Sequence, residues 1–174
     1  MKRKETLRFA IGRGSDWLGW VLVAWSEVGL CAILFGDDAW SLQKDLERRF
    51  RGLECVPVPE DDRLGQVLTF LEVPERGLDL PLDLRGTPFQ LRVWEALRAL
   101  PFGTTTSYGK LAAQLGMPFG ARAVAAACAA NPLAGVVPCH RVIGRNGKLT
   151  GYRWGTGRKA AFLARESGVW FQCL

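Results

Sequence analysis

The chain has 174 residues, 48% apolar, 10% aromatic and 23% charged, ordinary values for a globular protein with a real core, in one domain or two small ones. Its apolar runs at 17–25 and 30–35 fall far short of the roughly 18 to 20 residues that span a bilayer, and no signal-type segment follows Met1-Lys2-Arg3-Lys4, so a cytosolic protein is expected. The net charge of +6 is segregated: residues 1–85 hold 12 Lys and Arg against 15 Asp and Glu (−3), and residues 86–174 hold 11 against 2 (+9). Such a split points to a polyanionic partner for the second half, with nucleic acid ahead of a merely solvated basic surface.

In chain order, residues 1–15 read as an N-terminal extension. "LGWVLVAW" and "GLCAILF" then read as two short strands bounded by glycines. Leu42, Leu46 and Phe50 recur every four residues and predict a helix; Leu64, Val67, Leu68 and Leu71 predict a second. "LPLDLRG" alternates like a strand, with Pro81 favouring an edge. An α+β domain over residues 1–86 accounts for these elements.

From Thr87 the texture becomes helical, and residues 87–174 read as a second domain. Thr87-Pro88 starts a helix with Phe89, Val93, Trp94, Leu97 and Leu100 on one face, stopped at Pro101-Phe102-Gly103. Ser107 caps "YGKLAAQLG"; a Met117–Gly120 turn leads to "ARAVAAACAAN", and helix, short turn, helix is the helix-turn-helix pattern. "GVVPCHRVIG" reads as extended, with Asn146-Gly147 as a tight hairpin turn to a further extended segment. "RKAAFLARESG" supplies the last helix.

The second helix of the pair is unsuited to reading bases. A recognition helix lines the major groove with long polar side chains, whereas residues 121–130 are seven alanines with Arg122, Val124 and Cys128. Small side chains permit close approach to another surface, either a protein core or, given the charge, the DNA minor groove.

Five cysteines (Cys31, Cys55, Cys128, Cys139, Cys173) without a CxxC pair argue for reduced thiols and against structural zinc. Cys31 and Cys128 fall in apolar stripes and read as core; Cys55 and Cys173 read as incidental. Cys139 stands next to His140, the only histidine. A thiol reacts as thiolate, which a histidine oriented by a carboxylate can generate, and the basic surroundings should lower the thiol pKa. In an extended strand, however, neighbouring side chains point to opposite faces. Either the chain turns after Pro138 or a water relays the proton. Of the two carboxylates in the second half, Glu95 and Glu166, the latter is the better orienter.

"NPLAGVVPCHRVIG", with "TTTSYGKLA", "ARAVAAACAANP" and "GYRWGTGRKAAFLARE", resembles the O6-alkylguanine-DNA alkyltransferases, the methylated-DNA–protein-cysteine methyltransferases of direct repair. "LCAILFGDDAW" and "LPLDLRGTPFQLRVWEALR" resemble the bacterial type, especially the C-terminal half of the adaptive-response protein Ada. The resemblance implies an α+β fold: a small antiparallel sheet with helices, ribonuclease H-like, followed by a winged helix-turn-helix domain. It implies single-turnover transfer of a methyl or other alkyl group from O6 of guanine, and from O4 of thymine, to Cys139 after base flipping. His140 would act as base through a water, Glu166 would orient it, and Asn131 would order the turn before the active-site segment. Tyr108 would crowd the target phosphate and donate to guanine N3, and Arg122 would fill the gap in the base stack. Ala121, Ala123, Ala125, Ala126 and Ala129 would line the minor groove, with Lys110 also on DNA. Tyr108, Pro138, Val142, Tyr152, Arg153 and Trp154 would form the pocket, with Trp154 restricting large adducts. The implied state is a monomer in a bacterial or archaeal cytoplasm or nucleoid, on duplex DNA irrespective of sequence, without cofactor, metal or membrane. A winged-helix regulator with a structural Cys139, a lesion-recognising relative without chemistry and a thiol hydrolase are the rival readings.

Overall fold

A computed structural model describes residues 5–168 and divides the chain into two compact units between Leu84 and Arg85. In the first unit, β1 (Thr6–Arg13), β2 (Trp20–Trp25) and β3 (Leu30–Gly36) form an antiparallel meander. The chain then crosses through α1 (Ala39–Arg49) and returns as β4 (Glu54–Pro57), parallel to β1, giving the strand order 3-2-1-4. Three antiparallel strands and a parallel fourth across a helical connection make the ribonuclease H-like arrangement. β2 and β3 are buried at almost every position, which is why they read as continuous apolar runs rather than alternating ones. The Asp38 carboxylate caps α1 by accepting from the Ser41 N–H at 2.8 Å, and Leu42 and Leu46 pack the helix on β2 and β3. Asp61 caps α2 (Asp62–Glu72), which buries Val67 and Leu71.

Two strands of the first unit lie outside the sequence expectations. β1 occupies most of what reads as an extension, and β4 is a four-residue edge. The predicted strand at 80–86 reduces to one bridge between Leu30 and Leu82. There the Leu30 N–H donates to the Pro81 carbonyl at 2.8 Å and the Asp83 N–H to the Leu30 carbonyl at 2.7 Å. Pro81 has no N–H to extend the ladder. Gly29 permits this approach, since a Cβ there would come within 2.4 Å of the Pro81 carbonyl oxygen.

The second unit begins with α3 (Pro88–Arg98). A capping box starts it: Gln90 N–H donates to Thr87 Oγ1 at 3.2 Å, and Thr87 N–H to Gln90 Oε1 at 2.9 Å. Val93, Trp94 and Leu97 are buried, and Trp94 Nε1–H donates to the Ala127 carbonyl at 2.9 Å, tying α3 to α5 (Ala121–Ala130). Between them, Ser107 caps α4 (Tyr108–Gln114), and a turn with Gly116 at φ 76° leads into α5. The last described helix, α6 (Thr156–Ser167), stops at left-handed Gly168. Cys173 and the apolar end at 169–174 lie outside the described residues.

The segment expected to be extended is not a simple strand. Cys139–Arg141 form a 3-10 turn, and only Val142–Ile143 (β6) continue in extended form. β6 pairs in parallel with β5 (Thr106–Ser107), the strand just before α4. The Asn146-Gly147 turn closes, with the Gly144 N–H donating to the Lys148 carbonyl at 2.9 Å and Gly147 at φ 73°. No second hairpin strand follows among the described residues, and β6 pairs with β5 instead.

Candidate active site and nucleic-acid interface

Pro138 (φ −80°, ψ 62°) bends the chain into the 3-10 turn and removes the strict opposition of neighbouring side chains that an extended strand imposes on Cys139 and His140. Asn131, wholly buried at the end of α5, organises the approach. Its amide donates to the Val137 carbonyl at 3.0 Å, the Leu133 carbonyl at 3.4 Å and Cys139 Sγ at 3.0 Å, while its Oδ1 accepts from the Leu133 N–H at 2.8 Å. One side chain therefore ties the 131–139 loop together and directs an N–H at the sulfur.

The expectation that basic surroundings lower the Cys139 pKa fails. Burial pushes the thiol well up, and its contact with Cys128 adds to the rise, against the Asn131 donor that favours the thiolate. Desolvation at a buried sulfur outweighs distant positive charge. Cys139 rests as a thiol, donating to the Cys128 carbonyl at 3.5 Å.

His140 is buried and stacks on Phe162 of α6 at 4.5 Å. Its Nε2–H donates to Glu166 Oε1 at 2.7 Å, while Nδ1 is buried without a hydrogen-bond partner. Burial lowers the histidine pKa against the opposing pull of Glu166, so the ring is neutral at pH 7. A neutral ring with its proton on Nε2 carries a bare acceptor at Nδ1. Burial would raise the Glu166 pKa, but hydrogen bonds from His140 and Arg141 bring it below the ordinary carboxylate value. Arg141 grips Glu166 through Nε and Nη2 at 2.8 and 2.9 Å and anchors to the Leu100 carbonyl through Nη1 at 2.9 Å. A bidentate pair of this kind fixes the plane of the carboxylate.

Above the sulfur opens a cavity of about 310 Å³ lined by Tyr108, Ala125, Cys128, Ala129, Cys139 and the loop Gly151–Trp154. That volume lies at the small end of ligand pockets, which run to about 300–1,000 Å³. Tyr108 donates to the Gly151 carbonyl at 3.3 Å, and burial pushes its hydroxyl up to about 12, keeping it a donor. Trp154 is buried and meets Tyr152 edge-on at 5.4 Å; the Tyr152 hydroxyl is buried and unpaired. Arg153 reaches back to the Ala129 carbonyl at 3.2 Å. Lys159, buried on α6, donates to the Val142 and Thr150 carbonyls at 2.6 and 3.0 Å and thereby holds β6 and the pocket loop.

Tyr108, Tyr152, Arg153 and Trp154 line the cavity together with Cys139. Pro138 and Val142 do not line the cavity: both are buried, one shaping the turn and the other pairing with β5. Arg122, Ala123, Ala126 and Ala129 form an exposed face of α5, with Ala121 and Ala125 half-buried beside it; Lys110 is exposed on α4. Sequence reasoning missed Arg141, Lys159 and Cys128. Arg141 lies inside the PCHR stretch, but nothing in the spacing shows that it shares Glu166 with His140.

A family profile described as "6-O-methylguanine DNA methyltransferase, DNA binding domain" matches residues 88–168. The chain is 49% identical over 152 residues to the bifunctional transcriptional activator/DNA repair enzyme Ada of Escherichia coli, covering 86% of this chain and 43% of that protein. It is 59% identical over 88 residues to a methylated-DNA–protein-cysteine methyltransferase of Mycobacterium tuberculosis, covering 51% and 53% respectively. The chain spans about half the length of the curated relatives it matches. Against the crystal structure of Mycobacterium tuberculosis OGT in complex with DNA, identity is 37%, with 92% of this chain and 93% of that one covered at a TM-score of 0.76. With that coverage, and with the thiol, histidine and carboxylate assembled at one cavity, the chain belongs to the O6-methylguanine-DNA methyltransferase (O6-alkylguanine-DNA alkyltransferase) family.

Proposed function

We propose that the protein repairs duplex DNA directly, moving a methyl or other small alkyl group from O6 of guanine onto Cys139 and being consumed in the act. The observation that carries this reading is a buried cysteine at the floor of a cavity beside a histidine whose one nitrogen is held by Glu166 and whose other is a bare acceptor.

The chemistry is an in-line displacement. His140 Nδ1 takes the thiol proton through a water, the sulfur forms a bond to the alkyl carbon, and the carbon–oxygen bond breaks. Glu166 stabilises the imidazolium as it forms, and Asn131 stabilises the thiolate. Guanine leaves as its anion, which Tyr108 neutralises by donating to N3, while the Arg153 backbone amide donates to O6. Because Cys139 is only 5% exposed at the cavity floor, a base stacked in a duplex is out of reach and must be extruded. α5 is suited to extrusion, since its exposed alanine face admits close approach to the minor groove, Arg122 fills the vacated stack and Tyr108 crowds the rotating phosphate. The relative solved in complex with DNA supports DNA as the partner. O4-alkylthymine fits the same displacement. Trp154 narrows the cavity and selects against bulky adducts; inactivation by O6-benzylguanine as ready as that of an animal homologue overturns this point.

The decisive experiment incubates the protein with a duplex carrying one O6-methylguanine and weighs the products. The expected result is protein heavier by one methylene, with the label on the Cys139 peptide and no second turnover. Cys139→Ser retains duplex affinity and gains no mass. A winged-helix regulator instead leaves the protein mass unchanged, and a hydrolase turns over repeatedly.

A further inference from the structure

A second sulfur stands in the cavity, and alkyl displacement at Cys139 has no use for it. Cys128 projects from the inner side of α5, is 7% exposed, and lines the same 310 Å³ space as Cys139. The Cys139 thiol donates to the backbone carbonyl of Cys128 at 3.5 Å, so the sulfur of one lies against the backbone of the other. The other described cysteines, Cys31 and Cys55, belong to the first unit.

We propose that Cys128 and Cys139 are a redox modification site, which closes to a disulfide when a small peroxide enters the cavity and reopens in the presence of a thiol reductant. Two features of the fold favour closure. The chain between the sulfurs, eleven positions long, is already gathered by the Asn131 hydrogen bonds, so the ends of the loop are held together before any bond forms. Cys139 Sγ also lies against the Cys128 backbone with both side chains lining one cavity, and rotation about the two Cα–Cβ bonds is the motion that takes such a pair toward the S–S length of about 2.05 Å.

The steps balance. Cys128 lines the cavity from α5 and is the sulfur that meets the oxidant there, reacting as its thiolate. Its thiolate attacks one peroxide oxygen, the O–O bond breaks, and hydroxide leaves to combine with the proton Cys128 had released. Cys139 then attacks the sulfenic sulfur; the S–O bond breaks, an S–S bond forms, and the Cys139 proton departs with the hydroxyl as water. Peroxide is reduced to two waters and the thiol pair loses two electrons. Attack by an external thiolate reverses the bond through a mixed disulfide. The bridge shields the acceptor sulfur from further oxidation, at the cost of alkyl acceptance while it lasts. Only that consequence rests on the proposed alkyl transfer; the bridge itself does not.

The test needs no DNA. The full chain is reduced, treated with limiting hydrogen peroxide, unfolded in guanidinium chloride, alkylated with iodoacetamide, digested without reductant by chymotrypsin, which cuts between the two cysteines at Leu133, and weighed. The expected result is a linked peptide containing Cys128 and Cys139, two hydrogens lighter than its parts, while Cys31 and Cys55 carry the alkyl label; dithiothreitol restores the separate peptides. In Cys128→Ala, the same treatment leaves oxygen atoms on Cys139 that dithiothreitol does not remove at the sulfinic stage. Unlinked Cys128 and Cys139 in the oxidised wild type overturn the proposal, as does equal recovery of a free Cys139 thiol in wild type and variant. A protein that forms the bridge, yet after reduction by dithiothreitol takes no methyl from lesion DNA, overturns the functional reading alone.

Discussion

The two units use buried volume differently. The first packs Leu7, Val21, Leu22, Val23, Ile33, Leu34, Leu46 and Leu71 at zero exposure, and Ser26 is its only buried polar residue among those described. The second, whose only Asp and Glu side chains are Glu95 and Glu166, buries Thr106, Asn131, His140, Lys159 and Glu166. Apolar burial stabilises by about 25 cal/mol per Å², whereas each buried charge costs several kcal/mol that only close partners offset. The first unit is thus composed for stability. The second accepts a polar interior, with Arg141, His140 and Lys159 arranged to make that interior tolerable around one sulfur.

Glu166→Gln should break this contrast most severely. It strips Arg141 and His140 of their shared carboxylate, and removing one partner of a buried pair costs about 3–5 kcal/mol. Methyl transfer in a single turnover should slow about a hundredfold. Its pH profile should also shift, because the carboxylate supports the charged form of His140. Urea unfolding and rapid-quench mass measurements report the two effects; wild-type kinetics in the variant refutes the role given to Glu166. Leu46→Ala makes the complementary case. The wholly buried leucine packs α1 on the sheet, and its truncation should cost about 2–5 kcal/mol while leaving the single-turnover rate of the folded protein unchanged. A rate that falls with stability shows that the first unit does more than provide a core.

The sequence made the apolar elements of both units legible, along with the helix starts at Thr87 and Ser107, because capping and periodicity are local signals. β1 escaped it because its buried positions are irregular, and β4 because four mostly exposed residues carry no pattern. The turn at Cys139 depends on Pro138 together with the Asn131 network, and the parallel β5–β6 pair joins residues 36 positions apart; neither is visible from neighbours in sequence. Cys139, His140 and Glu166 were readable as chemistry from residue type and the lone histidine. Arg141, Lys159 and Cys128 were not, since a basic residue or a cysteine on an apolar helix face declares its partners only when the fold brings α5, α6 and the turn together.

Acid should act on the second unit more gently than these substitutions. The folded His140 pKa lies below its ordinary 6.5, so beneath that pH the unfolded chain binds a proton that the folded chain resists, and stability falls. Glu166, depressed below 4.5, adds stability that is fully present above that value and is lost as pH drops through its folded pKa. Both slopes have the same sign. The melting temperature should decline from pH 7 to 5 and more steeply below, and His140→Leu should flatten the upper part of that curve; an unchanged curve in the variant contradicts a buried neutral imidazole.

The smallest expected effect concerns the basic surface. Lys110 is exposed on α4, where it makes no contact with the acceptor sulfur, and in the proposed complex it neutralises a phosphate. Phosphate contacts carry no sequence or lesion information, and each contributes about 0.9 to the slope of log affinity against log salt. Lys110→Ala should therefore weaken matched and O6-methylguanine duplexes by the same few-fold factor and reduce the slope by about one for both. Fluorescence anisotropy across a salt series measures each quantity. A loss confined to lesion DNA would place Lys110 at the extruded base rather than on the backbone, and would move the boundary between surface and pocket that runs along α4 between Tyr108, which lines the cavity, and Lys110.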